Sequence, residues 1–316
     1  MSLIQNPHDK FFKETMGDPD VAEDFLTNYL PAEVLQAIDT KHLSLEKDSF
    51  VDQELKEAYS DLLYKTLIDG EEGYLYFLFE HKSHQESHIA LQLLKYMVKI
   101  WEQKTKEDKT AALPVIMPLL IYHGIEKWKL DQSFSSLFVG LKFLPEAMKR
   151  FIPDYEYVVY DFSLYGDEDI KGKIKTCIFL QLIKAIFHED RAYFSEVVQK
   201  TVLAWKELDE GEKGIDYLET MIRYVFNARK DIEFEEIKRV VQEVLPERSE
   251  IVSTIAEKLF NEGREEGREE GREEGKKQEK MEVALVALKK GYSVDDIAEI
   301  TGLDKKDILE LKEKDS

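Results

Sequence analysis

Apolar residues change their period along this chain, and the changes mark out its elements. Residues 61–68 (DLLYKTLI) and 74–82 (YLYFLFEHK) form two strand-length blocks around the polar stretch DGEEG at 69–73. Blocks rich in Leu, Tyr, Phe and Ile around glycines that tolerate positive φ predict a β-hairpin. Residues 43–51 predict a strand before it. Residues 113–122 (LPVIMPLLIY) and 155–162 (YEYVVYDF) predict strands after it. The continuous apolar run suits a strand covered on both faces, while its prolines favour a strand end or a sheet edge. Between these, residues 87–104 place Ile89, Leu93, Tyr96, Met97 and Ile100 at helical spacing. Residues 7–30 read as amphipathic helix, with Asp18, Pro19 and Asp20 restarting it. The expected core is α/β: a mixed central sheet flanked by helices, over residues 1–165.

From about residue 167 the period is helical throughout. Segments near 168–188, 190–207, 214–229, 233–245 and 249–262 carry apolar stripes, broken at DEG 209–211 and at Pro246. This region, 166–260, reads as a helical buttress or an oligomer contact, in which Cys177, His188 and Trp205 are packing residues. In residues 261–280 glycine then recurs at 263, 267, 271 and 275. As a helix this stretch would let a partner approach closely, but each glycine costs about 1 kcal/mol relative to alanine. A flexible linker and a dimerising helix both remain open. Residues 281–316 read as three short helices of helix-turn-helix style, punctuated by Gly291, Ser293, Gly302 and Asp304. Only Lys305 and Lys306 open the last helix, so packing or protein contact is the default there and DNA contact the alternative.

The hairpin carries the chemistry. A register placing Asp61 opposite Glu80 would put both carboxylates on one face, and Lys82, two residues on, returns to the same side. His81 then points to the other face, as a packing residue. Converging carboxylates need a partner, and a divalent cation satisfies them best. Oxygen donors suit Mg²⁺, Mn²⁺ or Ca²⁺ better than zinc. Such an ion, with an ammonium beside it, suits phosphodiester hydrolysis. Gln92 and Tyr96, four apart on the following helix, face the same way, toward either the substrate or the core. Asp9 is a further acidic candidate, and a solvated helix face explains it equally well.

Asp61, then Glu80, His81 and Lys82, followed by Gln92 and Tyr96, resembles the D…ExK…QxxxY signature of the PD-(D/E)XK nuclease superfamily. HDKFFK at 8–13, SDLLYK at 60–65, FEHKS at 79–83 and IYHG at 121–124 are similar to the recombination-promoting nuclease or transposase-like family. Members of that narrower family often carry glutamine at the position of Lys82, where this chain matches the wider superfamily. The resemblance implies a restriction-endonuclease-like fold and a metal-dependent DNA endonuclease. Asp61, Glu80 and the His81 backbone carbonyl would hold Mg²⁺ (or Mn²⁺ or Ca²⁺). Lys82 would orient the attacking water and Gln92 would support it, with Asp9 and Tyr96 as possible additions.

Composition qualifies this picture. At 43% hydrophobic over 316 residues the chain can build more than one packed unit. Its single cysteine excludes an intramolecular disulfide and a cysteine-based zinc site. No apolar run reaches membrane-spanning length and the N-terminus has no signal pattern, so a cytoplasmic location without membrane contact is expected. The net charge of −21 opposes non-specific DNA binding, which cations drive. A transposase-derived module without turnover, binding nucleic acid or protein, is therefore the alternative.

Overall fold

The computed structural model describes residues 7–46, 60–80, 87–107, 112–208, 212–229, 231, 234–244, 246 and 249–314; at residues 60, 61 and 78–80, and at scattered helix positions, only the backbone is described. It divides into two compact units, residues 6–253 and a second containing 254–316.

In the first unit, helices α1 (Pro7–Met16), α2 (Pro19–Tyr29) and α3 (Ala32–Ala37) precede strands β1 (Ser44–Leu45), β2 (Ser60–Ile68) and β3 (Glu71–Glu80). Helix α4 (Ile89–Glu107) leads to β4 (Val115–Tyr122). A crossover containing the short helix α5 (Glu146–Lys149) leads to β5 (Val158–Asp161). Helices α6 (Ile174–Ala185), α7 (Arg191–Lys206), α8 (Glu212–Ala228) and α9 (Phe234–Val244) follow. The sheet is mixed, in the order β1-β2-β3-β4-β5: β2 is antiparallel to β1 and β3, whereas β3, β4 and β5 run parallel. The expected mixed sheet flanked by helices is what the chain forms. Within the described residues the first strand covers Ser44–Leu45, and its predicted continuation over 47–51 lies outside them.

The helix restart at α2 follows its local chemistry. Asp18 accepts from the Asp20 amide at 3.1 Å, and Pro19 opens the helix, where a missing amide hydrogen leaves no gap. Pro114 stands just ahead of β4, the strand-end position expected, whereas Pro118 lies inside β4, an interior strand by order. Pro118 nonetheless lies in the half of β4 that β3 alone borders, since β5 joins only from Leu119 onward. A strand can be interior by order and still be an edge locally, which is where proline is tolerated.

Two apolar layers hold the sheet. On one face Leu63, Tyr74, Tyr76, Ile116 and Leu120 pack under Ile89, Leu93, Tyr96, Met97 and Ile100 of α4. On the other, the Tyr64 hydroxyl donates to the Met16 carbonyl of α1 at 2.6 Å, and Phe77 meets Phe25 of α2. Helix α8 backs α1 through the stacked rings of Phe11 and Tyr224, 4.2 Å apart.

The helical region is locked by one buried cation. Arg229 donates to the carbonyls of Ile186 and His188 at 3.2 and 2.8 Å and forks onto Asp231 through two 2.7 Å bonds. That fork is the main reason the Asp231 carboxyl is held down at about 2. A depressed carboxylate pKa contributes stability that is present above its unfolded value and fades as pH falls through the folded one. Urea midpoints of the protein and of Asp231→Asn should therefore differ at pH 7 and converge as pH falls from about 4 toward 2. Because Asp231 is half exposed, the difference is small.

Helix α10 (Ser249–Lys289) contains the glycine repeat; residues 261–280 are helical throughout. The second unit closes with α11 (Val294–Thr301) and α12 (Lys305–Lys314) around a small core of Ala284, Ile297, Leu303 and Ile308. Ser293 caps α11 by accepting from the Asp296 amide, and Gly302 leaves it at φ 66°, a left-handed backbone that glycine adopts without strain. Among the described residues, no helix is long and apolar enough to cross a membrane.

Candidate active site at the carboxyl edge of the sheet

The hairpin turn sets the geometry of the candidate site. Asp69 and Gly70 both adopt positive φ, 51° and 84°, and β3 resumes at Glu71. This is the two-residue turn whose twist matches the flanking strands, for which Asp-Gly is a favoured pair. The turn is therefore shorter than the five residues expected, and Gly73 lies inside β3 opposite Thr66. Closing the turn earlier moves the register: Asp61 pairs with Leu78, not with Glu80. The displacement is two residues, and side chains alternate with a period of two, so Asp61 and Glu80 still occupy one face as diagonal neighbours. Diagonal positions are about 7–8 Å apart, within reach of one shared ion.

That face is the one α4 covers. Tyr96 is 2% exposed, and its ring lies 5.1 Å from that of Tyr76. It is thus a core residue. Because β3 and β4 are parallel, α4 runs antiparallel to both. Stepping back one helical turn from Tyr96 to Gln92 covers about 6 Å, and stepping from Tyr76 to Leu78 covers about 6.6 Å. Gln92 accordingly stands over the row formed by Asp61 and Leu78. Its side-chain nitrogen is buried and has no hydrogen-bond partner among the described residues. A buried amide without a partner is destabilising by about 1–3 kcal/mol, which is an observation that asks for a ligand. Gln92→Met should leave the thermal midpoint unchanged or raise it, while lowering DNA cleavage about tenfold; a calorimetric scan beside a cleavage assay separates the two.

Glu80 ends β3 beside Tyr122 of β4, which in turn pairs with Asp161 of β5. These three positions form one row across the carboxyl ends of three parallel strands, where open α/β sheets place their ligand crevices. Asp161 was not singled out by sequence reasoning. Its oxygens are engaged: Oδ2 accepts from the Trp128 amide at 2.7 Å, and Oδ1 accepts from the Ser163 amide and hydroxyl. An aspartate ending a strand and followed two positions on by serine is the only signal that could have found it. Tyr122 folds back to donate to the Glu126 carbonyl at 2.8 Å, and a side chain on Gly124 would collide with its hydroxyl, which accounts for the IYHG motif.

Asp9 approaches this end from the opposite face. His8 lies 5.2 Å, ring to ring, from His123, which directly follows β4, and His123 donates to the Ile183 carbonyl at 3.1 Å. The first turn of α1 therefore sits at the carboxyl end of β4, with Asp9 Oδ1 buried there. The positive end of the helix favours its negative charge. The His81 carbonyl and Lys82 lie outside the described residues, as do the side-chain positions of Asp61 and Glu80. Among the described residues, no three His, Cys, Asp or Glu side chains are grouped to hold a metal. The donor set that the backbone brings to one face is all oxygen, and that chemistry fits a hard divalent cation.

Known proteins give the chain a context. It is 28% identical to Recombination-promoting nuclease RpnA of Escherichia coli (strain K12) over 96% of each chain. It is 26% identical to Recombination-promoting nuclease RpnD of Escherichia coli O157:H7, over 81% of this chain and 95% of that one. The Inactive recombination-promoting nuclease-like protein RpnE of strain K12 is 28% identical over 97% of this chain and 98% of its own. No solved structure gives a significant match. The family model described as "Putative transposase, YhgA-like" matches residues 6–213, well over half of the sequence, and the chain belongs to that family.

Proposed function

We propose that this protein is a metal-dependent DNA endonuclease that hydrolyses phosphodiester bonds in recombination or in the movement of mobile elements. The observation that supports it best is the register of the β2–β3 hairpin, which sets Asp61 and Glu80 on one sheet face beneath the helix that carries Gln92. Asp61, Glu80 and the His81 carbonyl would hold Mg²⁺, with Mn²⁺ or Ca²⁺ as substitutes. Such an ion supplies charge stabilisation at the phosphoryl oxygens and lowers the pKa of water. Lys82 would orient the attacking water, and the Gln92 amide would fix the water or a phosphate oxygen by hydrogen bonding. Tyr96 holds α4 against β3 and so keeps Gln92 in place.

A second reading has specific support. One relative of nearly equal length is named inactive, and the net charge of −21 opposes DNA binding. A binding module without turnover would show no metal-dependent cleavage. Incubating supercoiled plasmid with the protein and Mg²⁺, Mn²⁺ or Ca²⁺ separates the readings: the nuclease reading requires relaxed or linear product, and intact plasmid under all three ions would sink it.

A further inference from the structure

We infer that the crossover between β4 and β5 is a docking surface for single-stranded nucleic acid, an inference that deepens the nuclease reading and rests on it. Over residues 137–152 the chain carries Lys142, Lys149 and Arg150 against the single acid Glu146, a positive stretch that Asp131 on one side and Asp154 and Glu156 on the other bound within the acidic chain. The same stretch projects apolar side chains into solvent: Phe143 is 81% exposed, Phe151 is 88% exposed, and Val139 and Met148 are exposed as well. Exposed aromatic rings on a folded surface mark contact sites when they cluster, and these fall within one short segment.

The local structure holds this surface in place. Gly140, at φ 78°, turns the chain so that Lys142 and Phe143 follow together, with the Lys142 ammonium 5.4 Å from the Phe143 ring centroid. Lys149 is paired with Glu146 at 2.6 Å. A cavity of about 690 Å³ opens alongside, with Phe138, Leu141, Lys142 and Lys149 in its wall together with Asp131 and Asp154, whose carboxylates accept from Ser133 and Ser135. At its root the segment is fixed by Phe134, whose amide donates to the Tyr155 carbonyl at 2.9 Å and whose ring stacks on that of Tyr155. The Tyr155 hydroxyl in turn donates to the Ala90 carbonyl in the first turn of α4. Ala90 lies two residues before Gln92, so the surface is fastened to the helix that covers the Asp61 and Glu80 face.

Rings beside ammonium groups match the two features of a single strand: unpaired bases that stack on aromatics and a phosphate backbone that cations track. A duplex hides its base faces and relies on more cations than this stretch supplies. A positive apolar patch would also attract an acidic protein surface, so a protein partner is the competing occupant that the experiment must exclude.

The test is fluorescence anisotropy of a labelled oligodeoxythymidine with the full-length protein in EDTA, at low salt, where cleavage is silent. The double variant Phe143→Ala/Phe151→Ala should weaken binding at least about tenfold. Lys142→Gln should reduce the slope of log affinity against log salt by about 0.7. Both sets of residues are exposed, and an unchanged thermal midpoint checks that the variants fold. The inference is overturned if the wild type does not bind the oligonucleotide, if the double variant binds as tightly as wild type, or if a duplex binds as tightly as the single strand. Measuring plasmid cleavage as well as binding with the double variant keeps the two claims apart: preserved cleavage with unchanged binding removes the surface and spares the nuclease. Lost binding in the double variant supports the surface even if no cleavage is ever seen.

Discussion

Asp61→Ala and Glu80→Ala should each lower metal-dependent relaxation of supercoiled plasmid by at least about 10²-fold, the scale on which removal of one electrostatic group from an active site is felt. The expectation follows from the register. Both positions lie on the face under α4, and each would supply an oxygen donor whose loss leaves the ion underbound. Glu71→Ala is the matched control. It lies on the same strand, exposed, at the turn end of the hairpin and away from the carboxyl edge. It should cleave at the wild-type rate, and all three variants should keep the wild-type thermal midpoint. If Asp61→Ala and Glu80→Ala cut as fast as Glu71→Ala, the site lies elsewhere.

Phe77→Ala should lower the free energy of unfolding by about 3–5 kcal/mol, read from urea transitions. Phe77 is fully buried in the strand at the centre of the sheet, its ring meeting Phe25 and Tyr64 edge-on. Truncation removes a large apolar area and leaves a cavity that these two rings cannot close. The residue also lies on the face opposite Glu80, joining the hairpin to α2. A variant that stays folded should therefore lose stability without losing the pairing that sets Asp61 against Leu78. A loss of less than about 1 kcal/mol would mean that this layer is more loosely packed than its burial indicates.

The hairpin was legible in the sequence because the glycines and the two apolar blocks were both visible. Its register was not, because DGEEG offers more than one place to turn, and only the positive φ of Asp69 shows that the first two residues suffice. The shared face survived that misplacement because the slip was even. Pro118 misled for a related reason: a sheet's strand order does not reveal how far each neighbour extends, and β5 is too short to reach it. The glycine repeat left linker and helix open, and local propensity could not decide between them; the residues lie within α10. For the candidate site, the residues at 61, 80 and 92 were proposed from spacing and from the D…ExK…QxxxY resemblance, whereas Asp161 entered only through strand pairing, which no local pattern announces. Tyr96, left open between core and site, is packed against Tyr76 because its position on α4 falls one turn further from the sheet's carboxyl edge.

The engagement of Asp161 has a bearing on electroneutrality. Bonded to Trp128 and Ser163, Asp161, the third acid at this end of the sheet after Asp61 and Glu80, is held by main-chain and hydroxyl donors rather than offered to an ion. Those donors are neutral and leave its formal charge in place. With Asp61 and Glu80 the acids would sum to −3, and a divalent ion together with Lys82 would bring that sum to zero, so an incoming phosphate would meet no formal repulsion. Ser163→Ala would leave that sum unchanged and remove one of three donors, so that Asp161 Oδ1 keeps only the residue 163 amide and has more electron density to offer a cation.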